Sequence, residues 1–234
     1  MTTVIETQLS LLDFLDDAPP SKEVRCIDYD EIKPFVMRVH YARRMPCVNY
    51  AFGLFVDGNL VGCVTYGVPA SHNLCVGLAG SENQDRVLEL NRLVLLPNYN
   101  GKNYASFLVG RSLKMLPNKT FVVSYADTAW SHVGYVYQAT NFLYTGLSAQ
   151  RTDVWQPTGK HSRHQEQSDK SIRQTRSRKH RYVYLVGDKR TKKQMREELR
   201  YRVISEYPKG DEKHYNTHSP QMVNPLRVYK GDSK

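Results

Sequence analysis

Residues 87–142 read VLELNRLVLLPNYNGKNYASFLVGRSLKMLPNKTFVVSYADTAWSHVGYVYQATNF. The opening run, VLELNRLVLL, is dense in β-favouring apolar side chains, and the Pro, Asn and Gly of PNYNGKN end it. In YASFLVGRSLKML the apolar Phe107, Leu108, Leu113 and Leu116 recur at helical spacings. TFVVSYA is a second short apolar strand that ends at Asp127, and a helix is expected after it with Ser131 as its N-cap. Two strands joined through a helix of this length are expected to be parallel neighbours with a right-handed crossover. Ligands in such units sit beyond the carboxyl ends of the strands. PNYNGKN and Asp127 both fall there, so this unit is the expected floor of an active site.

Upstream, YAFGLFVDGNLVGCVTYGVP places two β-rich runs around Asp57-Gly58-Asn59, which reads as a hairpin. Residues 70–86 read as a polar, Gly-containing loop. A first strand is expected near Val24 to Tyr29. Asp30 and Glu31 then start a helix through Phe35, Val36, Val39 and Tyr41 that ends near Arg43-Arg44, before Pro46. Successive helical residues point about 100° apart, so a helix need not aim His40 and Tyr41 into one cleft. After Tyr144 one more strand is expected, with its exit by Trp155. LSLLDFLDD, before Pro19-Pro20, has the pattern of a short amphipathic helix.

At Gly159 the composition shifts. KHSRHQEQSDKSIRQTRSRKHR is basic and has too little apolar surface to pack alone. HRYVYLVGD then alternates as a strand does, and TKKQMREELRYRVI reads as a short charged helix. The expected organisation is a peripheral segment over residues 1–22, a catalytic domain over 23–159, and a basic extension over 160–234 that packs on the domain or continues it. The expected fold class is α+β, a mixed central sheet flanked by helices with a basic C-terminal extension.

The chain carries 33 Lys and Arg against 23 Asp and Glu, so a polyanionic partner is expected, nucleic acid first. Its 16 tyrosines offer flat surfaces for stacking on bases. Cys26, Cys47, Cys63 and Cys75 show no CxxC pairing, which fits buried free thiols in a reducing cytosol better than a zinc cluster or a disulfide framework. The N-terminus lacks a signal-peptide pattern and no apolar run reaches membrane-spanning length. The reading is a cytoplasmic protein without a membrane partner.

The order helix, hairpin, strand–loop–helix–strand, helix, strand resembles the acetyltransferase-like (GNAT) fold. In that fold the loop after the central strand, with the helix N-terminus, grips phosphate through backbone N–H groups. Here the candidate grip runs from Asn98 to Ser106: Gly101 permits an unusual backbone angle, Lys102 offers charge and Ser106 a hydroxyl. Pro-Asn-x-Asn-Gly is also an ordinary turn. The fold usually carries Gly-x-Gly or Gly-x-Ala in this loop. Gly101-Lys102-Asn103 departs from that, and Asn103 counts against ordinary coenzyme A binding.

His40-Tyr41, Thr65-Tyr66-Gly67, Glu89-Leu90-Asn91-Arg92-Leu93, Tyr125-Ala126-Asp127 and the stretch from His132 through Gly134 and Tyr137 to Phe142 together resemble the bacteriophage Mom family. The resemblance implies a transferase of acetyltransferase-like fold that converts adenine in phage DNA to N6-carbamoylmethyladenine and so protects that DNA from host restriction. It also marks His40, Tyr41, Arg92, Ser106, Asp127 and Tyr137 as functional positions.

That chemistry sets requirements. The N6 lone pair is delocalised into the ring, so attack needs proton removal and an acceptor held in line. Asp127 is the carboxylate placed to act as base or base-orienter, and an N-cap is its bland alternative. His40, Tyr41 and Tyr137 are candidates for proton handling; helix-dipole contact for His40 and core packing for Tyr137 are the alternatives. Arg92, in an otherwise apolar strand, needs a partner or a ligand, and Glu89 points to the opposite face of an ideal strand. Arg92, Asn98, Gly101, Lys102, Asn103 and Ser106 are the expected donor-binding set.

The carbamoylmethyl group contains a nitrogen that acetyl lacks, and a glycyl group has the same heavy atoms. The donor is therefore expected to be an activated glycine such as glycyl-tRNA, with acetyl-coenzyme A as the alternative, and tRNA becomes a possible partner. His40, His132, Asp127 and tyrosines offer ligands of the kind found in iron sites, but no spacing specifies a metal. Lys160, Arg163, Arg173, Arg176, Arg178, Lys179 and Arg181 are the expected phosphate contacts on double-stranded DNA. A duplex adenine must leave the stack to be modified, and Tyr41, Tyr125 and Tyr137 are candidates to stack on it. A conventional acyl-coenzyme A-dependent N-acyltransferase and a non-catalytic DNA-binding protein are the rival functions.

Overall fold

Asp57 and Gly58 turn the chain with φ of 48° and 78°. This is the doubly left-handed pair that a two-residue hairpin needs to match strand twist. The hairpin joins β2 (Tyr50–Val56) to β3 (Asn59–Gly67), as expected. The computed structural model of the chain describes residues 19–101, 103–155, 171–210 and 227–230. Lys102, Lys160, Arg163 and the expected N-terminal helix lie outside them.

β1 (Lys22–Cys26) pairs antiparallel with β2 at one edge of the main sheet. β4 (Val87–Leu95) follows β3, and β5 (Phe121–Asp127) lies parallel to β4. The strand expected in HRYVYLVGD is β9 (Lys179–Leu185), and it enters the sheet between β5 and β6 (Leu143–Leu147). The seven strands thus run β1-β2-β3-β4-β5-β9-β6, with β4–β5 the parallel pair. β7 (Thr152–Val154), β8 (Ile172–Thr175) and β10 (Val228–Lys230) form a separate three-stranded antiparallel sheet. The α+β class, the mixed sheet and the parallel central pair match the expectation.

Helices cover both faces. α3 (Tyr104–Ser112) and α4 (Tyr135–Ala139) pack with Leu88, Leu90, Val122 and Tyr182. On the other face α2 (His72–Ala79) and α5 (Lys189–Glu198) pack through Cys75, Leu78 and Met195 on Val87, Phe121, Val123 and Val183. α1 (Tyr29–Pro34) continues as a π-helical turn over Phe35–Val39, and Ile32 and Val36 bury against Phe55, Cys63 and Val94. Asp28 and Glu31 cap α1 reciprocally.

Two features of β4 position the site. Its pairing with β5 covers only Val87↔Phe121 to Glu89↔Val123. Beyond Glu89, β4 stays with β3 and β5 stays with β9, so the two strands part, and Ser124 Oγ donates to the Leu90 carbonyl at 3.0 Å where they do. The second feature is a β-bulge. Thr65 faces Arg92 and Tyr66 faces Leu90, which leaves Asn91 as the extra residue. The bulge reverses side-chain parity. Leu88 and Leu90 enter the α3–α4 core before it, and Leu93 and Leu95 do so after it. Glu89 and Arg92, opposed on an ideal strand, therefore share a face.

Four other expectations are corrected. Residues 70–86 contain α2, because Cys75, Leu78 and Ala79 present a buried i, i+3, i+4 face that the polar neighbours masked. The α1 unit ends at Val39, short of Arg43-Arg44: His40 is already extended, with ψ 134°. Ser131 is no N-cap; at φ 55° it ends a 3-10 turn over Thr128–Trp130, and Gly134 precedes α4. Cys63 and Cys75 are buried thiols, but Cys26 and Cys47 are exposed.

A Cβ on Gly67 would stand 2.0 Å from the Cys47 carbonyl oxygen, a backbone atom. Gly67→Ala must displace the 45–49 segment that packs on the bulge. We expect it to lower stability by about 1–3 kcal/mol, read as a lower urea midpoint at unchanged slope.

Candidate active site

The bulged Asn91 ties the site together. Its Oδ1 accepts from Thr65 Oγ1 at 2.6 Å, and its Nδ2 donates to the Cys47 carbonyl at 2.8 Å. Next to it, Arg92 donates from Nη2 and Nε to the Arg44 carbonyl at 3.0 and 3.3 Å and from Nη1 to the Asn91 carbonyl at 2.6 Å. β4 thus holds the loop that follows the π turn, and that loop carries His40 and Tyr41. Burial pulls the Arg92 pKa down while Tyr41 and Glu89 support its charge; a guanidinium there stays cationic.

His40 and Tyr41, which helical geometry need not aim together, meet because the helix has already ended. Their rings stack with centroids 4.4 Å apart, and the Tyr41 ring lies 5.5 Å from that of Trp130. His40 Nδ1 accepts from the Ala42 N–H at 3.0 Å, which puts the ring proton on Nε2. Burial, then Arg92 and His132, push its pKa down to about 4. At neutral pH His40 is therefore an uncharged Nε2–H donor, and neither nitrogen has a free lone pair for a base. The His132 pKa is also lowered by burial, with Asp127 opposing.

Asp127 and Glu89 have opposite surroundings. Asp127 Oδ1 accepts from the Ala129 N–H at 3.0 Å, so its N-cap reading is realised in the 3-10 turn. Its Oδ2 lies 3.1 Å from Lys179 Nζ. Burial works to raise its pKa, but Lys179, the Ser177 hydroxyl and the Ala129 N–H together hold it below the ordinary value. Such a carboxylate orients its neighbours and is a weak proton acceptor. The Glu89 carboxylate has no hydrogen bond or ion pair among the described residues. Burial raises its pKa despite the opposing fields of Lys179 and Arg92. Tyr125, next along the same face, has its phenol pushed up by burial first and by Glu89 second.

The structure brings Arg92, His40, Tyr41 and Asp127 to the parted ends of β4 and β5. Tyr137 lies in the α3–α4 layer, 9% exposed, with its ring 5.3 Å from those of Phe142 and Tyr182, as its core-packing reading has it. In the expected donor loop, Asn98 sits in a 3-10 turn over Pro97–Tyr99. Gly101 has φ 87° and Asn103 φ 58°. Asn is among the few non-glycine residues that adopt the left-handed region readily, so the unusual Asn103 preserves the tight loop. It precedes α3 without a side-chain cap, leaving the first N–H groups of the helix for a ligand. Ser106 Oγ donates to the Asn103 carbonyl at 3.0 Å.

The expected DNA contacts divide. Lys179 is paired with Asp127, and Arg181 donates to Thr145 Oγ1 at 2.9 Å with its guanidinium 3.5 Å from the Tyr201 ring centroid. Both belong to the wall of the site and not to a solvated arm, because β9 pairs with β5 there. Arg173 donates to Thr152 Oγ1 at 2.9 Å. Arg176 reaches Asp153 at 4.0 Å, and Arg178 donates to the Ser148 carbonyl at 2.9 Å; both are exposed. Among the described residues no three or more His, Cys, Asp or Glu side chains are grouped to hold a metal ion, and nothing supports the iron site. Among them, too, no helix is long and apolar enough to cross a membrane.

Sequence reasoning missed Trp130 and the isolation of Glu89. The signal for Trp130 was an aromatic three residues past a strand-end carboxylate. Nothing local marked Glu89, since the bulge that turns it towards Arg92 is set by the pairing with β3.

The sequence profile of the Mom protein family matches residues 21–209. The chain belongs to the Mom protein family. Over 119 residues it is 29% identical to the methylcarbamoylase Mom of Escherichia phage Mu. That alignment covers 49% of each protein, so the chain spans about half the length of this curated relative. Among solved structures, a GNAT-family acetyltransferase of Bacillus cereus superposes with a TM-score of 0.42 at 13% identity, covering 72% of this chain and 99% of that one. Arabidopsis thaliana NAA60 in complex with acetyl-CoA does so with a TM-score of 0.45 at 14% identity, covering 71% and 100%.

The His40 environment makes this Mom-family protein sensitive to acid. The unfolded imidazole binds a proton near pH 6.5, and the folded one only near 4. Between those values the unfolded state holds more protons, so stability falls as pH falls. His40→Gln should flatten that part of the curve, with stability at pH 7 changing less than stability at pH 4. Urea unfolding across the range measures it.

Proposed function

We propose that this Mom-family protein modifies adenine in double-stranded DNA at N6, giving N6-carbamoylmethyladenine and so shielding phage DNA from host restriction. The observation that carries the reading is the grouping of an aromatic surface, a neutral imidazole donor and a buried carboxylate of raised pKa where β4 and β5 part. The exposed Arg176 and Arg178 lie beyond Lys179 on the same chain segment, where a phosphate backbone would pass.

In this reading Glu89 accepts the N6 proton as nitrogen attacks the acyl carbon. Its burial raises basicity, and among the described residues no hydrogen bond competes for its side-chain lone pairs. His40 Nε2–H donates to the purine edge or to the developing oxyanion. Asp127 and Lys179 hold the 128–132 turn in place. The N-terminus of α3, with Gly101 and Asn103 before it, takes the anionic part of the donor.

An activated glycine, such as glycyl-tRNA, balances the atoms. N6 bonds to the glycyl carbonyl carbon and the carrier oxygen leaves, taking the proton from Glu89. The free glycyl amine then attacks C6. Expulsion of the original N6 as the amide nitrogen leaves C6–NH–CH2–CO–NH2, with no redox change.

Nucleosides from DNA of cells expressing the protein should contain N6-carbamoylmethyladenine by mass spectrometry. Label fed as glycine should enter the group; label that enters only from an acetyl donor excludes the glycyl route. Glu89→Gln should lower kcat by about 10²-fold or more while DNA affinity holds. Unmodified DNA from cells with well-folded protein would overturn the reading.

A further inference from the structure

Trp130 has no role in the chemistry above, yet its ring lies 5.5 Å from that of Tyr41, in the turn that follows Asp127. The 3-10 turn that carries it is fixed by both the side chain and the main chain of the residue before it: Asp127 Oδ1 takes the Ala129 N–H, and the Asp127 carbonyl takes the His132 N–H at 3.1 Å. The turn is also tied to β9. The Thr128 N–H and Oγ1 both donate to the Arg178 carbonyl, at 3.1 and 2.7 Å. Across the parting of β4 and β5, the loop bearing Tyr41 is fixed by Arg92 on the Arg44 carbonyl. Two separately anchored loops therefore set the 5.5 Å spacing of Tyr41 and Trp130.

The rings are graded in exposure. His40 backs Tyr41 in a stacked pair at 4.4 Å, with an interplanar angle of 27°. Tyr41 itself is 47% exposed, and Trp130 is half-buried. A tyrosine held by a stacked imidazole on one face, and still half open to water, leaves aromatic surface uncovered. Of the three tyrosines considered for base stacking, Tyr41 is the exposed one; Tyr125 is half-buried and Tyr137 is in the core. Cationic Arg176 and Arg178 on the segment that anchors the Trp130 turn supply charge for the backbone of the same ligand.

We propose that Trp130 and Tyr41, backed by His40, form a stacking platform for an unstacked purine base of DNA, with Trp130 as a positioning residue that holds the base at the parted ends of β4 and β5. This rests on the DNA-modification reading for the identity of the base, but it makes a claim of its own. Base–aromatic stacking is tolerant of sequence, so the platform holds any purine and leaves the choice of target to other contacts. A single strand engages it without the cost of opening a duplex.

Trp130 and Trp155 are the two tryptophans of the chain. In a Trp155→Phe background, emission reports Trp130 alone. The probe is a single-stranded oligodeoxyadenylate carrying 2-aminopurine at its centre; the control is the same length of abasic backbone. The purine strand should quench Trp130 emission by about half and the abasic strand should not. In full-length enzyme, Trp130→Ala should raise KM for DNA about ten-fold with kcat within about two-fold, and Trp130→Phe, which keeps a ring in the fold, should recover most of the loss. Equal quenching by both strands, or modification with unchanged KM in Trp130→Ala, overturns the platform even where modified adenine is found. Purine-specific quenching without modified adenine in cellular DNA upholds the platform and overturns the enzymatic reading instead.

Discussion

Asn91 has no residue opposite it on β3, and the site depends on that vacancy in the ladder. A bulge costs a rung of sheet pairing. Here its polar groups find other partners: the Asn91 side chain takes the Thr65 hydroxyl and holds the Cys47 carbonyl. The inserted residue carries Arg92 onto the face that Glu89 occupies. Arg92 then reaches the Arg44 carbonyl, and the loop with His40 and Tyr41 is held over the strand ends. Without the insertion Arg92 would point into the apolar α3–α4 layer, where an unpaired guanidinium is expensive.

The second constraint is the limited contact between β4 and β5. A parallel pair that continued past Glu89 would satisfy its own backbone and leave no opening. Because β5 is drawn to β9 along its whole length, it leaves β4 after Val123. The Ser124 hydroxyl on the Leu90 carbonyl covers an acceptor at the fork. β9 also delivers Lys179 opposite Asp127 and Arg181 opposite Tyr125. The basic segment after residue 170 therefore builds part of the cleft as well as offering charge to solvent.

Two carboxylates, Asp127 and Glu89, have opposite surroundings. Asp127 is surrounded by donors and stays ionised; Glu89 is desolvated, has no side-chain donor among the described residues and binds a proton more readily. Pairs whose surroundings drive their pKa values apart are the usual means of dividing orienting from proton transfer. The Mom-family reading of the chain gains its chemical detail from this division, and the aromatic edge at His40, Tyr41 and Trp130 gives the same cleft a surface suited to a flat heterocycle.

Much of the fold was legible along the chain. Asp57-Gly58 set the hairpin, the apolar runs marked β4 and β5, and the helical spacing of Phe107, Leu108 and Leu113 marked α3, because each is a local preference of backbone or side chain. α2 was hidden because its apolar run, Leu74 to Ala79, is short, holds a glycine and is flanked by polar residues, and Ser131 misled because it closes the 3-10 turn over Thr128–Trp130 before α4 begins. Residue identity was enough to mark Arg92, His40 and Asp127 as out of place in their surroundings and therefore worth a role. It could not say which carboxylate was free, which nitrogen of His40 kept its proton, or that Glu89 and Arg92 share a face. Those depend on hydrogen bonds and pairings between residues far apart in the chain, and only the folded sheet, with its one inserted residue and its early fork, decides them.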